Sequence, residues 1–456
     1  MQRLFAIIWL TWKAALRFRL FWVMAVLLVG SVITLPLVIK DDGTARGFTQ
    51  ILLTYTLSAI TALLGFSTLW LSCGTLARDI EENQMQMVAV KPIPRWQIWL
   101  GKWLGLVSLN AVLLLGAGLC VLVLLQWRSR SLTPYQQKIL REEVLVARGS
   151  LKEPAPNTEA AVERLFQERM KENPVSPANA ELVKNQLREM LKAEVIRPGF
   201  MRRWKIDLGM RKNFLRDEPF FVRLKFYAAS TNDLGTYRTV VEVGPPEAPL
   251  RDQHVVSLSA NSFHEIKIAP NQWDAAGLLT IDVQNRDRVA LAFPHDGGFE
   301  ILYREAGFPL NFLRGLLIVL FWLALLAAIG LAAASFLSFP VAAFVSVTLL
   351  LISMSSGTLA STVASGTIAG VDEETGATSG SVLDLVLIPF FKAMLQVFKL
   401  VEGFSPIDAL STGRSVSWGM VGLAFAQIVL LLGGLVALFG IWMFNRRELA
   451  AGNTHS

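Results

Sequence analysis

Residues 78–103 read RDIEENQMQMVAVKPIPRWQIWLGKW, a polar stretch set between two of the most apolar runs in the chain. The run before it, 49–77, and the run after it, 103–127, are each long enough to cross a hydrocarbon core, which takes roughly 20 consecutive apolar residues. The stretch therefore reads as a short connection at a membrane surface. Four further runs of the same kind lie at 20–39, 311–339, 340–361 and 418–444. The composition agrees. Of 456 residues, 53% are hydrophobic and 17% charged, with a mean hydropathy of +0.46, too apolar for a water-soluble chain of this length. The expected fold class is a polytopic α-helical membrane protein with six transmembrane helices and an inserted extracytoplasmic α+β domain. The first run follows a basic amphipathic lead and lacks a small-x-small cleavage site, so it reads as a retained span.

Basic residues in short loops set the orientation. Arg3, Lys13, Arg17 and Arg19 precede the first run; Arg78, Lys91, Arg95 and Lys102 lie in the 78–103 connection; Arg446 and Arg447 follow the last run. Six spans put all three groups on one side, whereas the connection KDDGTARG offsets its two basic residues with two acidic ones. Both termini are expected in the cytoplasm of a bacterium, with the chain in the inner (cytoplasmic) membrane and residues 128–310 outside. That region holds 27 Lys and Arg against 24 Asp and Glu. The overall charge of +7 thus reflects topology, and no nucleic-acid face is expected.

Residues 1–19 place Leu4, Ile8, Trp12, Ala15 and Phe18 at helical spacing, as an interfacial cytoplasmic helix would. Spans one to three occupy 20–127, with the loop 78–102 between the second and third. Within 128–310, residues 128–200 are rich in Glu, Lys, Arg, Gln, Ala and Leu at helical spacing and read as helices. Residues 201–305 change to short alternating runs such as FFVRLKFYA and LLTIDVQ, the pattern of an antiparallel β-sandwich. Its Trp204, Trp273 and Tyr303 read either as core or as a protein- or sugar-binding face. Spans four and five take 311–361, and the stretch GFEILYREAGFPLNFLRG leads into the fourth with aromatics and an Arg, as an interfacial anchor would. Residues 362–417 form an outer loop with an amphipathic or re-entrant helix at 382–401 that ends at Pro406. The sixth span is 418–444, and 445–456 is a cytoplasmic tail.

Few residues point to catalysis. No G-x-x-x-x-G-K-[ST] sequence occurs, so ATP is not bound through a P-loop. The four histidines, at 254, 264, 295 and 455, lie outside the spans without metal-ligand spacing. The segments SMSSGTLAS and VASGTIAG have no membrane histidine to activate a serine and read as helix-packing residues. Cys73 and Cys120 both fall in spans, which implies no disulfide framework. The spans carry no Asp or Glu, which disfavours an ion-coupled carrier. No catalytic residue, metal or directly bound cofactor is therefore expected.

In the 78–103 connection, acidic residues stand at a helix end, Pro92 and Pro94 stiffen the backbone, and Arg95 and Lys102 restart a helix that Trp96, Trp99 and Trp103 hold at the interface. Such a projection suits docking. The arrangement resembles the ABC-2 type permease superfamily, the membrane subunits of type V ABC exporters. There an acidic E-x-x-x-G-T-L, a P-[IV]-[SP]-R step and a G-K pair link the second and third spans. Asp79, Glu81 and Glu82 match the acidic start, Lys91, Pro92, Ile93, Pro94 and Arg95 the proline step, and Gly101 with Lys102 the restart; Gln84 to Met87 replace Gly-Thr. GFSPIDALSTGRSVSW before the last span is similar to the copper-site maturation and gliding-motility branches. The resemblance covers 1–127 and 311–447. It implies a non-catalytic permease that works with a separate ABC ATP-binding subunit, through which ATP acts, and that forms a homodimer or pairs with a second permease. The subunit contact would be Asp79, Glu81, Glu82, Lys91, Pro92, Pro94, Arg95 and Lys102. An extracytoplasmic protein or glycan partner is a further expectation for the inserted domain. The other reading is a membrane-anchored extracytoplasmic binding or mechanotransmitting protein without transport.

Overall fold

The computed structural model describes residues 2–17, 19–38, 44–82, 93–154, 158–172, 180–230, 235–248, 250–295, 297–354, 360, 363, 382–401 and 403–447. It divides into two compact units, one made of Met1–Leu145 with Gly307–Ser456 and the other of Val146–Ala306.

The first unit is helical. In order it contains α1 (Gln2–Arg17), α2 (Arg19–Val38), α3 (Ala45–Glu81), α4 (Arg95–Arg128) and the short α5 (Pro134–Ile139). Five helices among the described residues, α2, α3, α4, α8 (Phe308–Ala334) and α12 (Trp418–Arg446), are long and apolar enough to cross a membrane. The chain is a multi-pass helical membrane protein on that count. The fifth expected span is described only as α9 (Phe339–Met354), and the rest of 340–361 lies almost wholly outside the described residues. Residues 382–401 contribute α10 (Val382–Lys399). Pro406 does not end that excursion but opens α11 (Pro406–Ser411), where proline's missing N–H costs nothing.

The helices α3 and α4 are longer than the apolar runs that announce them. At 37 residues and 1.5 Å per residue, α3 is about 55 Å long. Arg78 and Glu81 are good helix formers, and the helix continues past the apolar run through the start of the 78–103 stretch. At its other end Thr44 accepts from the Gly47 N–H and Gln136 accepts from the Ala45 N–H, satisfying two of the first-turn donors.

Small residues set the helix crossings. Gly118 faces Leu316, Gly65 faces Leu326, and Gly330 lies so close to Ser72 that a Cβ would collide with the hydroxyl. These pairs fix directions. Helices α3 and α8 run parallel, and α4 runs against both. The pairs Arg314–Val416 and Gly440–Ala332, near the two ends, make α12 parallel to α8. The middle of α12, Phe425–Gly433, is a π-helix.

Helix α1 docks on α4 through the side its spacing marks, with Leu4, Ile8 and Trp12 partly buried beside the fully buried positions. Ile7, Thr11 and Ala15 are buried, and Ile7 and Thr11 sit against Gly101 and Gly105, a small-xxx-small groove that lets the backbones approach. Trp12 donates to Ser108 Oγ at 2.9 Å. Phe5 and Trp9 stay 71% and 55% exposed on the outer face. Helical spacing marks this side, and the glycines of α4 set how closely it packs.

The second unit is a sheet region. Its eleven described strands are β1 (Val146–Leu151), β2 (Ala193–Ile196), β3 (Met201–Asp207), β4 (Phe220–Leu224), β5 (Tyr227–Ala228), β6 (Thr236–Val243), β7 (Asp252–Ser259), β8 (His264–Ile268), β9 (Leu278–Asn285), β10 (Leu291–Pro294) and β11 (Phe299–Gly307). They form sheets ordered β1-β11-β4-β8, β2-β10-β5 and β3-β9-β6-β7. Residues 128–200 are not helical throughout, because β1 and β2 lie in them. Strand β1, VARGSL, is buried along almost its whole length and so lacks the alternation that marks a half-exposed strand. Between these strands α6 (Thr158–Glu172) and α7 (Ala180–Met190) form a hairpin over a core of Val162, Phe166, Val183 and Leu187.

Alternate residues of the two four-stranded sheets share one core. Phe220, Val222, Ile266 and Ile301 come from one, and Ile206, Val241, Ile281 and Val283 from the other. Trp204 stacks on Phe299 at 4.3 Å. Trp204 and Tyr303 are buried in this core, with Trp273 packed against it, so none of the three forms an aromatic binding face. Asp282 on β9 is buried and accepts from Arg203 at 2.8 and 2.9 Å and from Arg251 at 2.7 Å. Burial pushes its pKa up, but the bonds from the two guanidiniums outweigh that and hold it below the usual carboxylate value.

Candidate functional site

Residues of the 78–102 stretch and the ends of five helices meet at one end of the helical unit. Lys102, on the second turn of α4, is only 7% exposed. Its ammonium donates to Asp79 Oδ2 at 2.5 Å and to the Thr75 carbonyl at 2.7 Å. A buried ammonium needs such partners, since an unpaired charge there would cost several kcal/mol. The pair staples the last turns of α3 to the start of α4.

Arg95, the first residue of α4, reaches across to α12. One guanidinium nitrogen donates to the carbonyls of Phe444, Asn445 and Arg447, each at 2.9 Å. These are end-of-helix carbonyls without intrahelical donors, and they carry the negative end of the helix dipole. Arg447 repeats the arrangement one helix further on. Its guanidinium donates to the carbonyls of Ala334, Ser335 and Leu337 at 3.3–3.5 Å, just past the end of α8. Glu81 plays the complementary part, accepting from the Phe339 N–H at the start of α9 at 2.9 Å. Arg78 lies 4.6 Å from the Phe339 ring, which Trp70 also meets edge-on at 5.2 Å. Each charge therefore sits at the helix end of opposite polarity.

Of the eight residues expected to contact a partner, Asp79, Glu81, Arg95 and Lys102 converge here and bond within the chain. Glu82 and Pro94 are exposed beside them. Lys91 and Pro92 lie outside the described residues. Trp99 and Trp103 do not anchor the helix in an interface: Trp99 is fully buried and Trp103 donates to the Ala324 carbonyl at 2.9 Å. Only Trp96 stays exposed.

Sequence reasoning missed Arg447, which positive-inside counting treats as one basic residue among several. It also missed a cluster at the opposite end. Buried Asn311 donates to the Arg414 carbonyl at 2.8 Å and accepts from the Val416 N–H at 2.7 Å. Arg314 donates to the Val416 carbonyl at 3.1 Å and lies 4.8 Å from the Trp418 ring. Arg314 is thus a buried tie between the starts of α8 and α12, and the first part of the stretch read as an interfacial lead is strand β11. Within the helices, Asn110 donates to Thr68 Oγ1 at 2.8 Å.

Among the described residues no three His, Cys, Asp or Glu side chains stand close enough to hold a metal ion. No family model matches the chain, and no curated protein or solved structure matches it either.

Proposed function

We propose that the chain is the membrane-spanning permease subunit of an ATP-driven exporter of the ABC-2 type, with six spans, both termini on the cytoplasmic side and residues 128–310 outside. The observation that carries this reading is the convergence at the 78–102 stretch. A partner that pushes on Glu82, Pro94 and the intervening residues acts on α3 and α4 directly, through Asp79 and Lys102. The Arg95 bonds pass the displacement to α12, the Arg447 bonds pass it to α8, and Glu81 passes it to α9. Asp79, Glu81, Arg95 and Lys102 then act as transmitters inside the permease, while Glu82, Lys91, Pro92 and Pro94 touch the ATP-binding subunit.

Two further observations support the topology. Helices α8 and α12 run in the same direction, so the chain between them makes an odd number of crossings. Helix α9 starts where α8 stops, which favours one crossing by residues 340–361 with α10 outside the count. All the basic groups at 78–102 and 446–447 then lie on one side, as the positive-inside bias requires.

Co-purification tests the reading. A P-loop ATPase is expected to accompany the detergent-solubilised wild type and to be lost with Glu82→Lys. Arg95→Gln should keep the ATPase bound and uncouple its activity from the permease. Absence of any ATPase in several mild detergents would overturn the proposal in favour of a membrane-anchored binding or mechanotransmitting protein. The separate core of Val146–Ala306 is the feature that favours this second reading.

A further inference from the structure

The sheet β2-β10-β5 turns an apolar row outward. In the register of its strands Ala292 pairs with Val195 on one side and Tyr227 on the other. The row therefore spans two strand spacings, about 9–10 Å. Val195 is 55% and Tyr227 46% exposed, while the neighbours Ile196, Leu291 and Phe293 point inward and are buried. Strand β5 is the edge of the sheet.

Directly beside Tyr227 stands a cation with aromatic walls. The Lys225 ammonium lies 5.8 Å from the Tyr227 ring centre and 4.9 Å from that of Phe263. Phe263 is itself 47% exposed, and its ring is backed by the Arg223 guanidinium at 3.9 Å. Arg223 is buried and paired with Glu300 at 3.3 Å, so its charge is answered. No carboxylate lies within ion-pair distance of Lys225 among the described residues. An ammonium held against two exposed rings, with no carboxylate beside it among the described residues, is the arrangement that a carboxylate completes.

We propose that this face of the unit binds an extended segment of a partner polypeptide that presents apolar side chains followed by a carboxylate. The apolar side chains lie on Val195, Ala292 and Tyr227, and the carboxylate meets Lys225 between Tyr227 and Phe263. Alternate residues of an extended chain recur every 6.6–6.8 Å or so on one face, so two of them fit the row, and the 5.8 Å between the Tyr227 ring and the Lys225 ammonium is within one further step. An acidic glycan fits less well. Stacked sugars need hydrogen-bonding groups around the ring, and Tyr227 borders Val195 and Ala292, which offer none. The site does not depend on the permease reading, because it uses only residues of Val146–Ala306.

The test uses the full chain in detergent and a fluorescent peptide, Val-Ser-Leu-Ser-Asp, together with its reverse. Valine, leucine and aspartate share one face of each. Anisotropy should show saturable binding by one or both, weakened at least tenfold by Lys225→Glu and by Tyr227→Ser. Lys205→Glu, an equal charge change on exposed β3, should leave it unaltered. Replacing the aspartate by lysine should abolish binding. Equal binding of the lysine peptide, tighter binding of a tetrameric uronate, no saturable binding at millimolar peptide, or an unchanged affinity in Lys225→Glu would each overturn the proposal. Lys225→Gln, which removes the charge without reversing it, guards against a folding defect in the first variant; its expected loss is about tenfold.

Discussion

Breaking the Lys102–Asp79 pair has a calculable and asymmetric cost. Lys102→Met keeps the side-chain volume and removes the charge, leaving Asp79 without its partner. The Asp79 side chain is 31% exposed, so water solvates much of the orphan. Removing one partner of a fully buried pair costs about 3–5 kcal/mol, and this exposure reduces the figure to about 2 kcal/mol. Asp79→Leu leaves the other member behind. The Lys102 side chain is only 8% exposed and keeps one bond, to the Thr75 carbonyl. That orphan stays near the full penalty, at about 3–4 kcal/mol. Asp79→Leu is therefore expected to be the worse variant even though Asp79 is the more exposed residue. The double variant carries no buried charge, and its loss should fall short of the sum of the two single losses by about 2 kcal/mol. Denaturant unfolding of the detergent-purified chain, followed by tryptophan fluorescence, measures all four proteins. Equal losses for the two single variants, or additive losses in the double, would refute the idea that a buried ion pair joins α3 to α4.

Gly105→Leu should prise α1 from α4, because even the Cβ would lie 2.7 Å from the Thr11 Cβ; a loss of about 1–3 kcal/mol and faster proteolysis within residues 2–17 are expected, with Gly116→Leu, which meets nothing within 4 Å, as the silent control. Trp204→Ala empties the centre of the sheet core and should cost about 3–5 kcal/mol, read from the melting of full-length protein. Asp282 has a folded pKa below its unfolded value, so its contribution is complete above the unfolded value near 4 and disappears as pH falls through the folded one; Asp282→Asn should flatten the acid limb of the stability–pH curve. The α6–α7 hairpin has the same sign. A hydrogen bond from Arg188 lowers the Glu159 pKa and one from Lys184 lowers that of Glu163, so amide protection factors in α6 and α7, taken relative to the intrinsic exchange rate at each pH, should fall on acidification through their range, less so in Glu159→Gln with Glu163→Gln.

Much of the architecture was legible because it rests on one-dimensional quantities. Runs of apolar residues, their lengths and the basic residues between them mark five long helices, and alternation marks β4, β5, β6, β8, β9 and β10. Asp79, Glu81, Arg95 and Lys102 were legible as a group, but as contacts to a partner subunit and not as residues that bond within the chain. What they meet was not legible. Arg95 bonds to carbonyls about 350 residues away, and a backbone carbonyl leaves no signature in the side-chain sequence. The same reason hides Arg447 at the end of α8 and Asn311 and Arg314 against Val416. The close approach of α1 to α4, the burial of Trp99 and the exposure of the Val195–Ala292–Tyr227 row follow from which neighbour offers a glycine or an open sheet face. Amino-acid pattern thus determined which segments are helices, which are strands and which sides are apolar, since those depend on local geometry and transfer from water. The tertiary structure alone decided which apolar side is covered and which helix end each charge answers, because both depend on the distances between elements far apart in the chain.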